Sequence, residues 1–202
     1  MSSRYHLMEL LGKGVQAVVY LAVDIINHEQ VAIKIFDEKK EAHDEYKVLS
    51  TLSLFPNCDP YILCIRELTT IDDKEAIVME YLTIPTLKEF MKTVSDPLLI
   101  WTIIYQILTA IHHLHSRGIV HMDVHEGNMM WTGSFIKLID FGNARLEKYN
   151  SDKREDVQAI SFILKSLLPE FPSKVWEELY SKLNYGLSSK ECLLWMNRNP
   201  IN

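Results

Sequence analysis

His121-Met122-Asp123-Val124-His125-Glu126-Gly127-Asn128, followed by Asp140-Phe141-Gly142, is the stretch on which the reading of this chain turns. Upstream, Pro97 to Arg117 carries Ile100, Ile103, Ile104, Ile107, Ile111 and Leu114 at helical spacing, with Gly118 as a stop. Downstream, Met129–Trp131 and Phe135–Ile139 flank the turn residues Thr132-Gly133-Ser134 and predict a short hairpin. The polar groups therefore sit on loops held by rigid elements, where reactive side chains are usually placed. Asp123, Asn128 and Asp140 offer hard oxygen ligands and a base, and Gly142 lets the chain turn just after Asp140.

Before this stretch the chain reads as strands. Tyr5–Leu11, Val18–Val23 and Val31–Phe36 are separated by Gly12-Lys13-Gly14 and Asn27-His28. A helix is predicted from Asp37, as N-cap, to Leu54. Strands Ile62–Leu68 and Ala76–Tyr81 follow, around a polar turn at Asp72-Asp73-Lys74. After the main stretch, helices are predicted over Asp156–Leu168, Ser173–Leu183 and Ser188–Asn197. An antiparallel sheet with one helix, then a mainly helical remainder, is an α+β pattern.

The 202 residues are 48% hydrophobic and 24% charged, enough to bury a core and too apolar for a disordered chain. A net charge of −6 argues against generic binding to nucleic acid or to an anionic membrane. Leu98–Leu114 is apolar but interrupted by Thr102, Gln106, Thr109 and His112-His113, so it reads as a core helix rather than a span. Met1 to Gly12 has no continuous apolar run of the secretory kind. Cys58, Cys64 and Cys192 form no C-x-x-C and are read as reduced thiols, with a cytoplasmic location expected.

Two further features carry chemistry. Gly12-x-Gly14-x-x-Ala17-x-Val19 lies between two strands, where missing Cβ atoms let backbone N–H groups approach an anion. Lys34 sits in the apolar run Val31-Ala32-Ile33-Lys34-Ile35, and Glu45, Leu49 and Leu52 share one stripe of the next helix. A carboxylate on an apolar stripe needs a cation. Lys34 is the economical partner for Glu45; Glu41 is the alternative carboxylate for Lys34. A base with two hard ligands beside it is what Mg²⁺-dependent phosphoryl transfer requires.

In their order these motifs resemble the eukaryotic-type protein kinases over nearly the whole chain: glycine loop, Val31-Ala32-Ile33-Lys34, Glu45, Val78-Met79-Glu80-Tyr81-Leu82, the Asp123 loop, Asp140-Phe141-Gly142, then Asp156 to Leu164. The resemblance implies a bilobal α+β fold as a single domain over 1–202, with an antiparallel β N-lobe bearing one helix over about 1–80. A hinge over about 80–86 and a reduced, mainly α C-lobe over about 87–202 would follow. It implies ATP and Mg²⁺ as cofactors. Asp123 would act on the acceptor hydroxyl, Asn128 and Asp140 would hold metal, and Lys34, kept by Glu45, would contact phosphates. Gly12 and Gly14 would cover the phosphates. Leu11, Val19, Ala32 and Met130 would contact adenine, Glu80 and Leu82 would bond its edge, and Met79 would act as gatekeeper. Asp156 would hold the catalytic-loop backbone, and His121, Phe141 and Leu49 would pack together.

Three departures bear on the acceptor. Asp156 follows Asp140 by 16 positions with no Ala-Pro-Glu between them, so Asn143–Glu155 stands in for an activation loop and docking platform. Met122 stands where the family has an arginine that pairs with a loop phosphate, so activity independent of loop phosphorylation is expected. His125 and Gly127 replace the usual lysine and glutamate, and Asp123-Val124-His125-Glu126-Gly127-Asn128 looks more like the loop of aminoglycoside- and choline-type kinases. His125 is still counted among the catalytic candidates, since histidine can donate to a phosphate. His112, His113 and His115 are read as helix-end residues whose charge suits the dipole. Arg145, Lys148, Lys153 and Arg154, interleaved with Glu147, Asp152 and Glu155, are read as a solvated loop. A protein serine/threonine kinase with a protein substrate is expected. The alternatives are a small-molecule kinase and a pseudokinase interaction module.

Overall fold

The computed structural model describes residues 4–147, 149–168 and 172–201; Lys148 of the charged segment lies outside them. The fold is α+β, and the chain forms two compact units, Met1–Thr83 and Ile84–Asn202.

The first unit is a five-stranded antiparallel sheet of order β1-β2-β3-β5-β4, with one helix. Its strands are β1 (Tyr5–Lys13), β2 (Ala17–Asp24), β3 (Gln30–Phe36), β4 (Ile65–Ile71) and β5 (Lys74–Glu80), with helix α1 (Lys39–Leu52) between β3 and β4. Tyr5, Ala22, Val31, Ile33, Ile71, Ala76 and Val78 form one buried cluster. The other face is set by register: Val19 stands opposite Lys34 and Leu21 opposite Ala32, while Lys34 stands opposite Ile77 and Ala32 opposite Met79. Residues directly across an antiparallel ladder share a face, so Val19, Ala32, Lys34 and Met79 point the same way. The β4–β5 hairpin turns on Asp72 and Asp73, both at positive φ (47° and 64°), as a two-residue turn with this twist demands.

Some boundaries differ from expectation. α1 is capped by Glu38 and begins at Lys39, one residue later than a cap at Asp37 implies, and ends at Leu52 rather than Leu54; the Asp37 carboxylate bonds Lys74 (2.8 Å). Gly12 belongs to β1; the turn proper lies over 14–16 and closes through Gly14 N–H to Ala17 O (2.9 Å). Cys58 and Cys64 are joined by a disulfide, with Cα atoms 5.3 Å apart. The reading of three reduced thiols is thereby corrected at two positions, and the compartment expectation loses that support. Cys192 is free and buried, and burial pushes its thiol up to about 12.

The second unit contains α2 (Leu87–Phe90), α3 (Pro97–Ser116), β6 (Ile119–Val120), a 3-10 turn (Glu126–Asn128), β7 (Met129–Trp131), β8 (Ile136–Leu138), β9 (Arg145–Leu146), α4 (Asn150–Leu167), α5 (Lys174–Asn184) and α6 (Ser189–Arg198). α3 is its core. Asp96 caps it and Pro97 opens it, and Gly118 ends it at φ 69°, the left-handed region glycine reaches without strain. Among the described helices it is the one long and apolar enough to cross a membrane. Its isoleucines at 100, 103, 104, 107 and 111 are nevertheless buried, and α3 packs on α4, α6, β6 and β8. α4 starts six residues before the expected Asp156, and β9 pairs with β6. The segment Asn143–Glu155 is thus a strand and a helical turn over much of its length, not a loop.

Candidate active site

The catalytic-loop stretch is fastened from below by one buried carboxylate. Asp156, on α4, accepts the N–H groups of His121 and Met122 (both 2.8 Å), one on each oxygen. Met122 is held at φ 63°, unusual for a side chain of its type, so the two bonds fix a backbone that would not adopt this turn unaided. His115 Nε2 also meets the Asp156 carboxylate, at 3.0 Å. Both side chains are buried. His115 does lie in the last turn of α3, as read, and its ring is engaged by Asp156. The sequence held the signal: His115 lies four residues after Ile111, on the apolar stripe. Desolvation lowers the pKa of His112, which weakens the reading of it as a helix-end cation.

On this base the reactive side chains converge. Asn128 Nδ2 donates to both the carbonyl and the Oδ2 of Asp123 (3.1 Å each). Asn143 Nδ2 donates to the same Oδ2 at 3.2 Å. Asn143 was missed in sequence because its contact is made in space, twenty positions from Asp123. His125 Nε2 lies 3.7 Å from the other oxygen, Oδ1. The Ile139 N–H donates to the Asn128 carbonyl (3.0 Å), which brings Asp140 beside Asn128, and Asp140 Oδ1 accepts the Gly142 N–H (3.1 Å). With its nitrogen turned to Asp123, Asn128 presents its hard Oδ1 the other way.

No group of three or more His, Cys, Asp or Glu among the described residues is arranged to hold a metal by itself. Mg²⁺ does not need one, since it is typically bound through one or two carboxylates and the phosphates of its substrate. Asn128 and Asp140 fit that pattern. The rings of His121 and Phe141 pack at a tilt, with centroids 5.0 Å apart and planes at 55°. Both His121 ring nitrogens are buried with no hydrogen-bond partner among the described residues, and desolvation depresses its pKa. Met130 lies on β7 opposite Lys137.

The remaining candidates lie in the first unit. Lys34 Nζ meets both Glu45 oxygens at 2.8 Å, with the carboxylate buried and the lysine nearly so. Of the two acids considered in sequence, Glu45 is the partner. Val19, Ala32 and Met79 share the Lys34 face of the sheet, and Leu11 is exposed on β1. Among the described residues, apart from its two chain neighbours, none has an atom within 4 Å of where a Cβ on Gly12 would stand, so packing does not require glycine there. The Glu80 carboxylate accepts the Cys64 N–H (2.7 Å) and its own N–H donates to Cys64 O (2.9 Å), which ties the end of β5 to the preceding loop. Leu82 lies just beyond that end, half-buried.

Residues 5–166 match the protein kinase domain family. The chain is 38% identical over 151 residues to the serine/threonine-protein kinase PrkC of Bacillus subtilis, across 71% of this chain and 23% of that protein. It is 30% identical over 160 residues to the probable cell division control protein 7 homolog 1 of Encephalitozoon cuniculi, across 76% and 44%. It is 32% identical over 151 residues to the stress-activated protein kinase jnk-1 of Caenorhabditis elegans, across 70% and 32%. The chain thus spans less than half the length of each of these relatives. The match covers the lysine strand, the Asp123 loop and Asp140 in a single run, and this chain belongs to the protein kinase family.

Proposed function

We propose that the chain transfers the γ-phosphoryl group of ATP, with Mg²⁺, to a serine or threonine hydroxyl of a protein. The observation that carries the reading is the arrangement around Asp123: an exposed carboxylate oriented by two amides, in a loop tied to buried Asp156, beside the ligand pair Asn128 and Asp140. Bound ATP supplies the phosphoryl group and Mg²⁺ offsets its charge. Asp123 takes the acceptor hydroxyl proton as the oxygen bonds to phosphorus and the bond to the ADP oxygen breaks. Lys34, aligned by Glu45, binds phosphate oxygens. The serine/threonine assignment is supported by PrkC, a serine/threonine-protein kinase by name. The small-molecule alternative is favoured by His125 and Gly127 and by the short Asp140–Asp156 interval.

The test is labelled ATP with Mg²⁺ and a panel of protein and small-molecule acceptors. Label is expected on protein serine or threonine, and Asp123→Asn is expected to lower kcat by at least about 10²-fold, the scale of lost acid–base help. Label on aminoglycosides or choline alone would give the small-molecule reading. Nucleotide binding without transfer to any acceptor would give the pseudokinase.

A further inference from the structure

His125 and Gly127, two separate departures in sequence, are one feature in space. His125 has an extended backbone (φ −154°, ψ 163°) and caps the 3-10 turn Glu126–Asn128. Its Nδ1 accepts the Gly127 N–H at 3.0 Å, and its carbonyl accepts the Asn128 N–H at 3.0 Å. A Cβ on Gly127 would stand 2.8 Å from Cε1 and 2.9 Å from Nδ1 of the same ring, distances real Cβ atoms do not show. The ring keeps this pose only because residue 127 has no side chain.

The same hydrogen bond sets the direction of the ring. With Nδ1 held by the Gly127 N–H, the other nitrogen, Nε2, stands 3.7 Å from Asp123 Oδ1. That separation is beyond a hydrogen bond, but the ring stands beside the one Asp123 oxygen that Asn128 and Asn143 do not engage.

We propose that His125 is a positioning residue: its ring, held by the Gly127 amide, lies beside the Asp123 carboxylate and closes the turn presenting Asn128, with Gly127 bare of side chain for that purpose. The inference rests on Asp123 being the base of the phosphotransfer proposed above.

Two measurements on the full chain test it. In amide hydrogen exchange of the nucleotide-free protein, the Gly127 N–H is expected to exchange about tenfold faster in His125→Ala than in wild type. An unchanged rate would overturn the lock. In kinetics, Gly127→Ala is expected to lower kcat about tenfold with KM for ATP unchanged within about twofold, whereas in the His125→Ala background the same change should cost under about twofold. Equal costs in the two backgrounds would overturn the coupling. His125→Asn, whose Oδ1 can accept the Gly127 N–H, should retain more kcat than His125→Gln, which cannot cap the turn; the reverse order would count against the proposal. Should the wild-type chain transfer phosphate to nothing, the functional reading fails while the Gly127 exchange rate still decides the lock.

Discussion

A buried carboxylate is tolerated only while its cation stays, and this makes Lys34 and Glu45 separable from each other by experiment. Lys34→Met takes the ammonium from the buried Glu45 carboxylate, a change that costs about 3–5 kcal/mol when one partner of a buried pair is removed. The midpoint of thermal unfolding is expected to fall accordingly, and phosphate transfer with it. Adding Glu45→Met should restore most of the stability without restoring transfer, because two apolar side chains no longer strand a charge and no ammonium is left for phosphate. A double variant as unstable as the single one would mean the pair is not what holds α1 to the sheet. His121 has the opposite problem: a buried ring with no partner for either nitrogen among the described residues. Its pKa is depressed in the folded chain, so below about pH 6.5 the unfolded chain takes up a proton that the folded chain does not. Stability is therefore complete above that range and falls on acidification, by up to about 1.4 kcal/mol per pH unit for one such group. Denaturant titrations between pH 7.5 and pH 5.5 should show this slope. His121→Phe should flatten it and raise stability by about 1 kcal/mol, since an unpaired buried polar group is removed and the contact with Phe141 is kept.

Among the elements, α4 has the largest effect on the site because its Asp156 holds the loop that begins at His121. Asp156→Ala removes the acceptor for two backbone N–H groups and for His115. Amide hydrogen exchange at His121 and Met122 should quicken by about 100-fold or more as these groups open locally, and kcat should fall even though Asp123 is untouched. Protection unchanged from wild type would show that the α4 anchor is dispensable. Much of this was readable from residues alone. The strands of the sheet, the α3 stripe and the β7–β8 hairpin followed from periodicity and turn residues, and Asp123, Asn128 and Asp140 were found because they lie on one short piece of chain. What was not readable has a physical cause in each case. β6 and β9 are two residues each, too short to show alternation. The first turns of α4 are polar and charged, and they are supported by the contacts Arg145–Asp152 (3.7 Å) and Lys153–Glu147 (2.6 Å) that no local pattern announces. Asn143 and His115 act through partners twenty and forty-one positions away.

For the molecule as a whole, the segment Asn143–Glu155 decides how activity is governed. In the family a phosphate on the activation loop is met by an arginine of the catalytic loop; here that position is Met122, which has no charge to offer. The segment is already engaged without a phosphate. Arg145 and Leu146 pair with Val120 and Ile119, the Glu147 N–H donates to Gly118 O at 2.8 Å, and the two ion pairs of Asp152 and Lys153 secure the start of α4. The chain is therefore expected to work without loop phosphorylation. Tyr149→Phe and Ser151→Ala should each leave kcat within about twofold of wild type, and Ser151→Glu should not raise it. Pretreatment with a phosphatase should leave turnover unchanged as well. An increase of tenfold or more on phosphorylating either residue would require a cation reaching the segment in the phosphorylated state, and the first candidate would be Arg154, exposed on the opening turns of α4.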